Sequence, residues 1–291
     1  MPVRRIDHRA LDVGKLADAK GTRSTSVCLP ARNEAETVGT IVERVAGHPL
    51  VDEVVVVDDH SDDGTGEAAA AAGATVVRAA DVLTAYGKGP GKGQALWKAV
   101  ASSTGELIAF CDADLRDFKP HFITGLLGPL LDDPEAAFVK AYYRRPGPEG
   151  QPRGGGRVTE LVARPMLHLL FPEIADVIQP LAGEFAARRS VFERLPFVDG
   201  YGVDIGLLID AARSCGFERL VQVDLGVRTH RNRSLDELGP MATIVLMTVL
   251  RRAGIDEIPG DVVLDQPDLL AVHVRYSERP PLIDVPEYTS R

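Results

Sequence analysis

Cysteine is scarce in this chain of 291 residues, which holds three: Cys28, Cys111 and Cys215. They are odd in number, far apart and without the short spacings of a zinc site, which excludes a disulfide framework and leaves three reduced core thiols. Long apolar runs are also missing. No stretch reaches the ~18 consecutive apolar residues of a transmembrane helix. The first twenty residues carry charge throughout and lack the apolar middle of a secretory leader. The expectation is a chain with no membrane span, acting in the cytoplasm. Positive charge is in short supply as well: 33 Lys and Arg face 42 Asp and Glu, a net charge of −9 with a pI near 5.3. Broad attraction to nucleic acid or to an anionic membrane is thereby excluded, and any phosphate site must be built locally. No internal repeat is visible.

What is present is enough apolar material, 45 % of residues, for one large domain or a domain with an appendage. After a polar lead-in over residues 1–23, short β-rich runs alternate with helical text. Residues 25–30 read as a buried strand ended by Pro30, with Asn33 as N-cap of the next helix and Glu36 three residues on. Val54-Val-Val-Val-Asp58 is a second strand, 75–78 a third, and 106–111 a fourth that runs into Asp112 and Asp114. Helices are expected at 67–72 and 94–102 between them. Such alternation predicts parallel βαβ units with every strand's carboxyl end on one edge, so Pro30, Asp58 and Asp112 are expected in one crevice. Further on, helices are expected at 120–131, 157–170 with a kink or restart at Pro165, 203–214 and 235–252, and strands at 137–143, 182–187 and, as the last, 220–226. Residues 144–156 read as a loop, and the proline-rich final residues as a segment wrapping the surface or a partner subunit.

Several constellations carry chemistry. Asp112 and Asp114, two apart at a strand end, can face one divalent cation, although an isolated Asp-x-Asp more often just begins a turn. Gly87-Lys-Gly-Pro-Gly-Lys-Gly93 is not a Walker loop, since Gly rather than Ser or Thr follows Lys92, yet Lys88 and Lys92 beside a helix start suit an anion. Gly154-Gly-Gly-Arg-Val-Thr-Glu160 brings free amides, Arg157 and Thr159 to a helix start, again suited to phosphate or carboxylate. Val227-Arg-Thr-His-Arg-Asn-Arg233 offers His230 as a metal ligand among arginines that complement phosphates. Tyr201 and Asp204, between glycines at a helix mouth, can meet sugar hydroxyls, while Asp204 also suits the helix dipole.

Four motifs in order, Leu-Pro-Ala-Arg-Asn-Glu, Val-Val-Asp-Asp-His-Ser-Asp-Asp-Gly-Thr, Gly-Lys-Gly and Asp-Ala-Asp-Leu, resemble the nucleotide-sugar half of a GT-A glycosyltransferase. Gly-Gly-Gly-Arg-Val-Thr-Glu, Gln-Pro-Leu-Ala-Gly-Glu, Gly-Tyr-Gly-Val-Asp-Ile-Gly and His-Arg-Asn-Arg extend that resemblance, over residues 24–252, to glycosyltransferase family 81, the retaining glucosyl- and mannosyl-3-phosphoglycerate synthases. The resemblance implies an α/β GT-A fold: a Rossmann-like, mostly parallel sheet flanked by helices with an acceptor-binding C-terminal part. It implies a nucleotide-sugar subdomain at 24–115, an acceptor subdomain at 116–253 and a tail at 254–291. It further implies transfer of glucose or mannose from a nucleoside diphosphate sugar to the 2-hydroxyl of 3-phosphoglycerate, a Mg²⁺ or Mn²⁺ cofactor, and a homodimer. By the same resemblance, Pro30, Ala31, Arg32, Glu34, Asp59, Lys92, Asp112 and Ala113 hold the donor, and Asp114 with His230 ligates the metal. Gly156, Arg157, Val158, Thr159 and Arg231 hold the acceptor, while Asp204, Tyr201 and Lys92 serve catalysis. In two places the chain departs from the glucosyl enzymes: Arg32 stands where an aliphatic residue is usual, and Asp204 replaces a Glu. A sugar-phosphate nucleotidyltransferase and a non-catalytic nucleotide-sugar sensor are the alternative readings.

Overall fold

The computed structural model describes residues 2–87, 91–145, 156–228, 234–265 and 271–290. In chain order the strands are β1 (Arg4–Asp7), β2 (Thr25–Ala31), β3 (Glu53–Asp58), β4 (Thr75–Arg78), β5 (Leu107–Phe110), β6 (Phe138–Arg144), β7 (Phe185–Arg188), β8 (Phe197–Val198), β9 (Leu220–Val227), β10 (Asp261–Leu264), β11 (Val272–Arg275) and β12 (Glu278–Arg279). The α-helices used below are α1 (Val13–Lys20), α2 (Ala35–Ala46), α3 (Thr65–Ala71), α4 (Lys92–Ser102), α5 (His121–Asp132), α6 (Arg164–Leu170), α7 (Arg189–Phe192), α8 (Val203–Cys215) and α9 (Leu235–Arg252).

Eight strands form one sheet in the order β1-β9-β6-β7-β5-β2-β3-β4. Within it β7 pairs antiparallel with β5 and β6, and the other pairings are parallel. The sequence explains why the middle strands are buried on both faces. In β3, Val55 and Val57 join one apolar cluster with Trp97, Phe110 and Phe185, while Val54 and Val56 join a second with Ile41, Val45 and Leu126. Period-two alternation therefore feeds two cores, one per face, each covered by helices, as parallel sheets require. Helix α2 buries Val38, Ile41, Val42 and Val45, an i, i+3, i+4, i+7 stripe, against the second core.

Three expectations are corrected. Asn33 is not the N-cap of α2: its backbone is left-handed (φ 57°), a conformation Asn tolerates, and its Oδ1 accepts from Asp62 N at 3.0 Å. The start of α2 is capped instead from the loop before α3 and its first residue: Asp63 Oδ2 accepts from Ala35 N at 3.0 Å and Thr65 Oγ1 accepts from Glu34 N at 2.8 Å. The polar lead-in contributes β1, an edge strand paired with β9. Nor is the strand at 220–227 the last, since β10 pairs with β11 and β12 pairs with β8. The restart at Pro165 is present: a π-helical turn over Thr159–Ala163 passes into α6 at Arg164. Of the cysteines, Cys28 and Cys111 are buried and Cys215 is half-buried.

Candidate active site

The parallel strands deliver their carboxyl ends to one edge, and two adjoining cavities open there. The first, about 380 Å³, is lined by Pro30, Ala31, Arg32 and Glu34 after β2, by Asp59 after β3, by Gly91, Lys92 and Ala95 at the start of α4, by Asp112, Ala113 and Asp114 after β5, and by Gly200 and Tyr201. The second, about 190 Å³, is lined by Gly156, Arg157, Val158 and Thr159, by Arg145, Leu181, Gly183, Asp204 and Arg228, and by Leu238, Met241 and Val245 of α9. Lys92, Asp112, Asp114 and Tyr201 line both. The structure thus brings together every site residue anticipated from the sequence except His230 and Arg231, which lie outside the described residues, as does Lys88 of the glycine-rich loop.

One crevice residue is corrected. Asp58, the last residue of β3, lines a separate hollow with His60, Ser61 and Arg78, and its Oδ1 accepts from Ser61 N at 2.9 Å. Successive residues at a strand end face opposite ways, so Asp59 takes the place beside Pro30 and accepts from Gly91 N at 2.9 Å.

Between the cavities lies a cluster of buried charge. Lys92, first residue of α4, reaches Asp204 Oδ2 at 3.0 Å and Asp112 Oδ1 at 3.4 Å. Burial works to lower the Lys92 pKa, but the two carboxylates outweigh it and hold the ammonium charged well above its ordinary range. Asp112 is the mirror case: burial opposes its charge, yet Lys92 and Arg228 hold it well below the usual carboxylate range. Arg228, with a side chain 5 % exposed, donates through Nη1 to Glu184 Oε1 at 2.5 Å and the Tyr143 hydroxyl at 2.7 Å, and through Nη2 to Asp114 Oδ1 at 3.1 Å and Asp112 Oδ2 at 3.3 Å. Lys140, on β6 and fully surrounded, donates to the Asp204 carbonyl at 3.2 Å, and burial pulls its pKa down to about 8. Asp204, 5 % exposed, is pushed up by burial against the pull of Lys92 and Lys140. Its Oδ1 is buried and has no hydrogen-bond partner among the described residues. A buried acceptor of that kind is open to a hydroxyl or N–H donor, or to water, entering the cavity.

Three cations, Lys92, Lys140 and Arg228, thus face three carboxylates, Asp112, Asp204 and Glu184. Asp114 stands at the edge of this cluster with its side chain half exposed: it shares Arg228 with Asp112, and burial followed by the charge of Asp112 raises its pKa. A half-exposed hard oxygen donor on the wall of both cavities fits a divalent cation that keeps other oxygen ligands of its own, such as Mg²⁺ or Mn²⁺. Among the described residues no cluster of three or more His, Cys, Asp or Glu gathers for a metal.

Local backbone demands explain the glycines. A Cβ on Gly183 would lie 2.3 Å from Asp112 Oδ1, so a side chain there would expel the carboxylate from its place. Gly156 adopts a left-handed φ of 82° and its carbonyl accepts from Glu160 N at 2.8 Å, opening the π-helical turn that carries Thr159 into the second cavity.

Glu184, Lys140 and Arg145 were not singled out by the sequence, and Arg228, read there as one of the arginines around His230 that complement phosphates, is paired with Glu184, Asp112 and Asp114 instead. Arg228 lies in the basic run around His230 and Glu184 in Ala-Gly-Glu, so both motifs were visible. What a linear chain does not display is which arginine of a basic run turns inward, or that Glu184 is wholly buried.

The model of the family described as Glycosyl transferase family 2 matches residues 26–195. Glucosyl-3-phosphoglycerate synthase of Mycolicibacterium smegmatis is 49 % identical over 251 residues, covering 84 % of this chain and 82 % of that protein. The crystal structure of glucosyl-3-phosphoglycerate synthase from Mycobacterium tuberculosis in complex with Mn²⁺, UDP-glucose and phosphoglyceric acid superposes with a TM-score of 0.88 at 42 % identity, over 97 % of this chain and 99 % of that one. Mannosyl-3-phosphoglycerate synthase from Rubrobacter xylanophilus gives a TM-score of 0.87 at 38 % identity, over 97 % of both chains. The family resemblance and the GT-A fold read from the ordered motifs are borne out.

Proposed function

The chain belongs to glycosyl transferase family 2, and we propose that within it the protein transfers glucose or mannose from a nucleoside diphosphate sugar to the 2-hydroxyl of 3-phosphoglycerate, with retention at the anomeric carbon. The observation that carries this reading is the pair of adjoining cavities that share Lys92, Asp112, Asp114 and Tyr201. A donor whose sugar must meet an acceptor needs two pockets with one common wall of charge. In this reading Pro30, Ala31, Arg32, Glu34, Asp59 and Ala113 hold the nucleoside, with Lys92 and Asp112 at the sugar end. Gly156, Arg157, Val158 and Thr159 hold the phosphate or carboxylate of the acceptor with Arg231. UDP-glucose, GDP-glucose and GDP-mannose remain the candidate donors.

Asp114, with His230, would hold the divalent cation, which supplies positive charge to the departing diphosphate. Lys92 contributes a second, permanently charged group at the same place. Asp112 and Asp204 each give a carboxylate oxygen to Lys92, which weakens their attack on carbon, and Asp204 Oδ1, unpartnered among the described residues, is read as an acceptor for a sugar hydroxyl rather than as a nucleophile. The acceptor hydroxyl therefore attacks from the face that the diphosphate leaves. The C1–O bond to the diphosphate breaks, the C1–O bond to the acceptor forms, and the hydroxyl proton passes to the departing phosphate oxygen. Asp204 Oδ1 takes a hydrogen bond from a sugar hydroxyl and Tyr201 closes the common wall.

The protein is further read as a cytoplasmic homodimer, with Leu161 and Leu169, about three-quarters exposed beside α9, as part of an apolar contact face. None of the described helices is long and apolar enough to cross a membrane. Each donor supplied with 3-phosphoglycerate and Mg²⁺ or Mn²⁺ tests the reading. Nucleoside diphosphate release that needs the acceptor, with an α-linked product by NMR, is expected. Consumption of nucleoside triphosphate with pyrophosphate release, or donor binding without turnover under every pairing, would refute it.

A further inference from the structure

The C-terminal segment crosses behind the active site, and its fastening is unusually specific. Strand β12 pairs antiparallel with β8, Arg279 opposite Phe197 and Glu278 opposite Val198. From there the Arg279 guanidinium, about one-fifth exposed, forks between two backbones that have no sequence proximity. On one side Nε and Nη2 donate to Asp199 Oδ1 and Oδ2 at 3.2 and 2.9 Å. On the other side Nη1 donates to the Tyr86 carbonyl and Nη2 to Gln94 Oε1 at 2.8 Å. Gln94 in turn donates to the Gly87 carbonyl at 3.1 Å.

The two backbones so joined carry Lys92 and Tyr201 of the common wall, and Asp204 beside it. Asp199 stands two residues before Tyr201 and five before Asp204, and Gln94 stands two after Lys92. Ser277 reinforces the first side, its carbonyl accepting from Asp199 N at 2.8 Å and its hydroxyl donating to Asp199 Oδ2 at 2.6 Å. Gly87, at φ 114°, lies flat on the guanidinium: a Cβ there would come within 3.1 Å of Arg279 Nη1. Gly93 lies equally flat on β8, where a Cβ would sit 1.8 Å from the Val198 carbonyl oxygen. The start of α4 and the turn before α8 are thus pressed together without side chains between them, and Arg279 bonds to both sides of that seam. The 3.0 Å contact of Lys92 with Asp204 spans that seam.

We propose that Arg279 is a positioning residue for transfer, setting the spacing of Lys92 and Asp204 from behind through Asp199 on one wall and Tyr86 and Gln94 on the other. This rests on the roles proposed above for Lys92 and Asp204. Guanidinium geometry is essential to it, because a fixed fork serves three partners at once and an ammonium cannot reproduce it. Displacement of a reacting constellation by an ångström costs on the order of 100-fold in rate.

The test uses the full-length protein with Arg279→Ala and Arg279→Lys, alone and combined with Lys92→Ala. Arg279→Ala is expected to lower kcat about 10- to 100-fold with KM for donor and acceptor within about threefold, and Arg279→Lys to restore only part of the loss. In the Lys92→Ala background the same change is expected to cost less than about threefold more, since the contact it positions is already gone. A structural role alone would instead multiply through both backgrounds. Independently of turnover, hydrogen exchange in Arg279→Ala is expected to speed up in peptides covering 84–87, 92–96 and 199–204 and to stay unchanged across 25–31. Wild-type turnover near unity for Arg279→Ala, full multiplication with Lys92→Ala, or unchanged exchange at the seam overturns the proposal. If the wild-type chain transfers no sugar to 3-phosphoglycerate, the functional reading fails, and the exchange pattern still decides whether Arg279 holds the seam.

Discussion

The two cavities are built by different means. The one assigned to the donor is walled by residues 30–32, 34, 59, 91, 92, 95 and 112–114, the junctions at the ends of β2, β3 and β5 and the start of α4, with only Gly200 and Tyr201 coming from further along. Adjacent parallel strands put these junctions side by side, and backbone contacts such as Gly91 N to Asp59 hold them. The cavity assigned to the acceptor draws on residues 145, 156–159, 181, 183, 204, 228, 238, 241 and 245, plus the wall it shares. Strand order supplies only part of it: Arg145 follows β6, Arg228 follows β9 and Gly183 precedes the antiparallel β7, while residues 156–159, 201, 204 and those of α9 come from outside the sheet. Buried charges tie the wall together, as in Arg228, which bridges to Asp112 across 116 residues of chain. The first cavity follows from topology, so changes there should stay local. The second depends on charge balance, so changes there should propagate.

Arg228→Met tests that difference hardest. It strands Glu184, which is wholly buried, and removes the cation that Asp112 and Asp114 share. Breaking a buried pair from one side costs about 3–5 kcal/mol, so a clear loss of urea midpoint should accompany loss of transfer. An unchanged midpoint would show that Glu184 is protonated and needs no partner. Asp114→Ala changes a half-exposed residue at the boundary of the two cavities, which shares Arg228 with the more buried Asp112. It is expected to cut transfer by about 100- to 1000-fold with the midpoint nearly unmoved. Near-normal turnover at saturating metal would remove Asp114 from any metal role.

This contrast also decides what the sequence displayed. Strands such as Glu53–Asp58 and the stripe of α2 were legible because a parallel sheet and an amphipathic helix repeat at fixed periods. The donor wall followed from those strand ends, apart from the choice between Asp58 and Asp59, which turns on a single residue of strand phase. Strand β1 was not legible: its sequence, Arg-Arg-Ile-Asp, is an edge strand with little apolar content to repeat. Asn33 misled because a residue that caps helices also favours the left-handed backbone it adopts here. The acceptor side was legible only as glycines and a helix start, since Glu184 and Lys140 owe their roles to burial, and burial of a charge is decided by partners far away in the chain.

Lys140 gives the charge balance a pH signature. Its pKa falls from an ordinary lysine value near 10.5 in the unfolded chain to about 8 in the folded one, chiefly by burial. Between those values the unfolded chain holds a proton that the folded chain has released, so stability rises with pH across that window. The contribution is complete above the unfolded value and is lost as pH falls through about 8. The full span is on the order of 3 kcal/mol. Lys140→Met lacks the titration, so the wild-type protein should gain on the variant as urea unfolding is repeated from pH 7.5 to 10.5. Two parallel stability curves would show that Lys140 keeps its proton beside Asp204 and Glu184 throughout.

Arg32 supplies the smallest expected effect and the sharpest check on the donor side. Its side chain is exposed at the rim of the first cavity beside Glu34, whose carboxyl is pushed up by burial and by the nearby charge of Asp114. An exposed cation at a nucleoside pocket gains little from each contact and can favour one base over another only modestly. Arg32→Ala should therefore shift the ratio of kcat/KM between UDP and GDP donors by about tenfold or less, roughly 1.4 kcal/mol. Acceptor KM should not move, because no charge of the buried cluster is touched. A change in acceptor KM matching the change in donor preference would mean that the two cavities are coupled through their common wall, and the division between a topological half and an electrostatic half would have to be redrawn at Lys92.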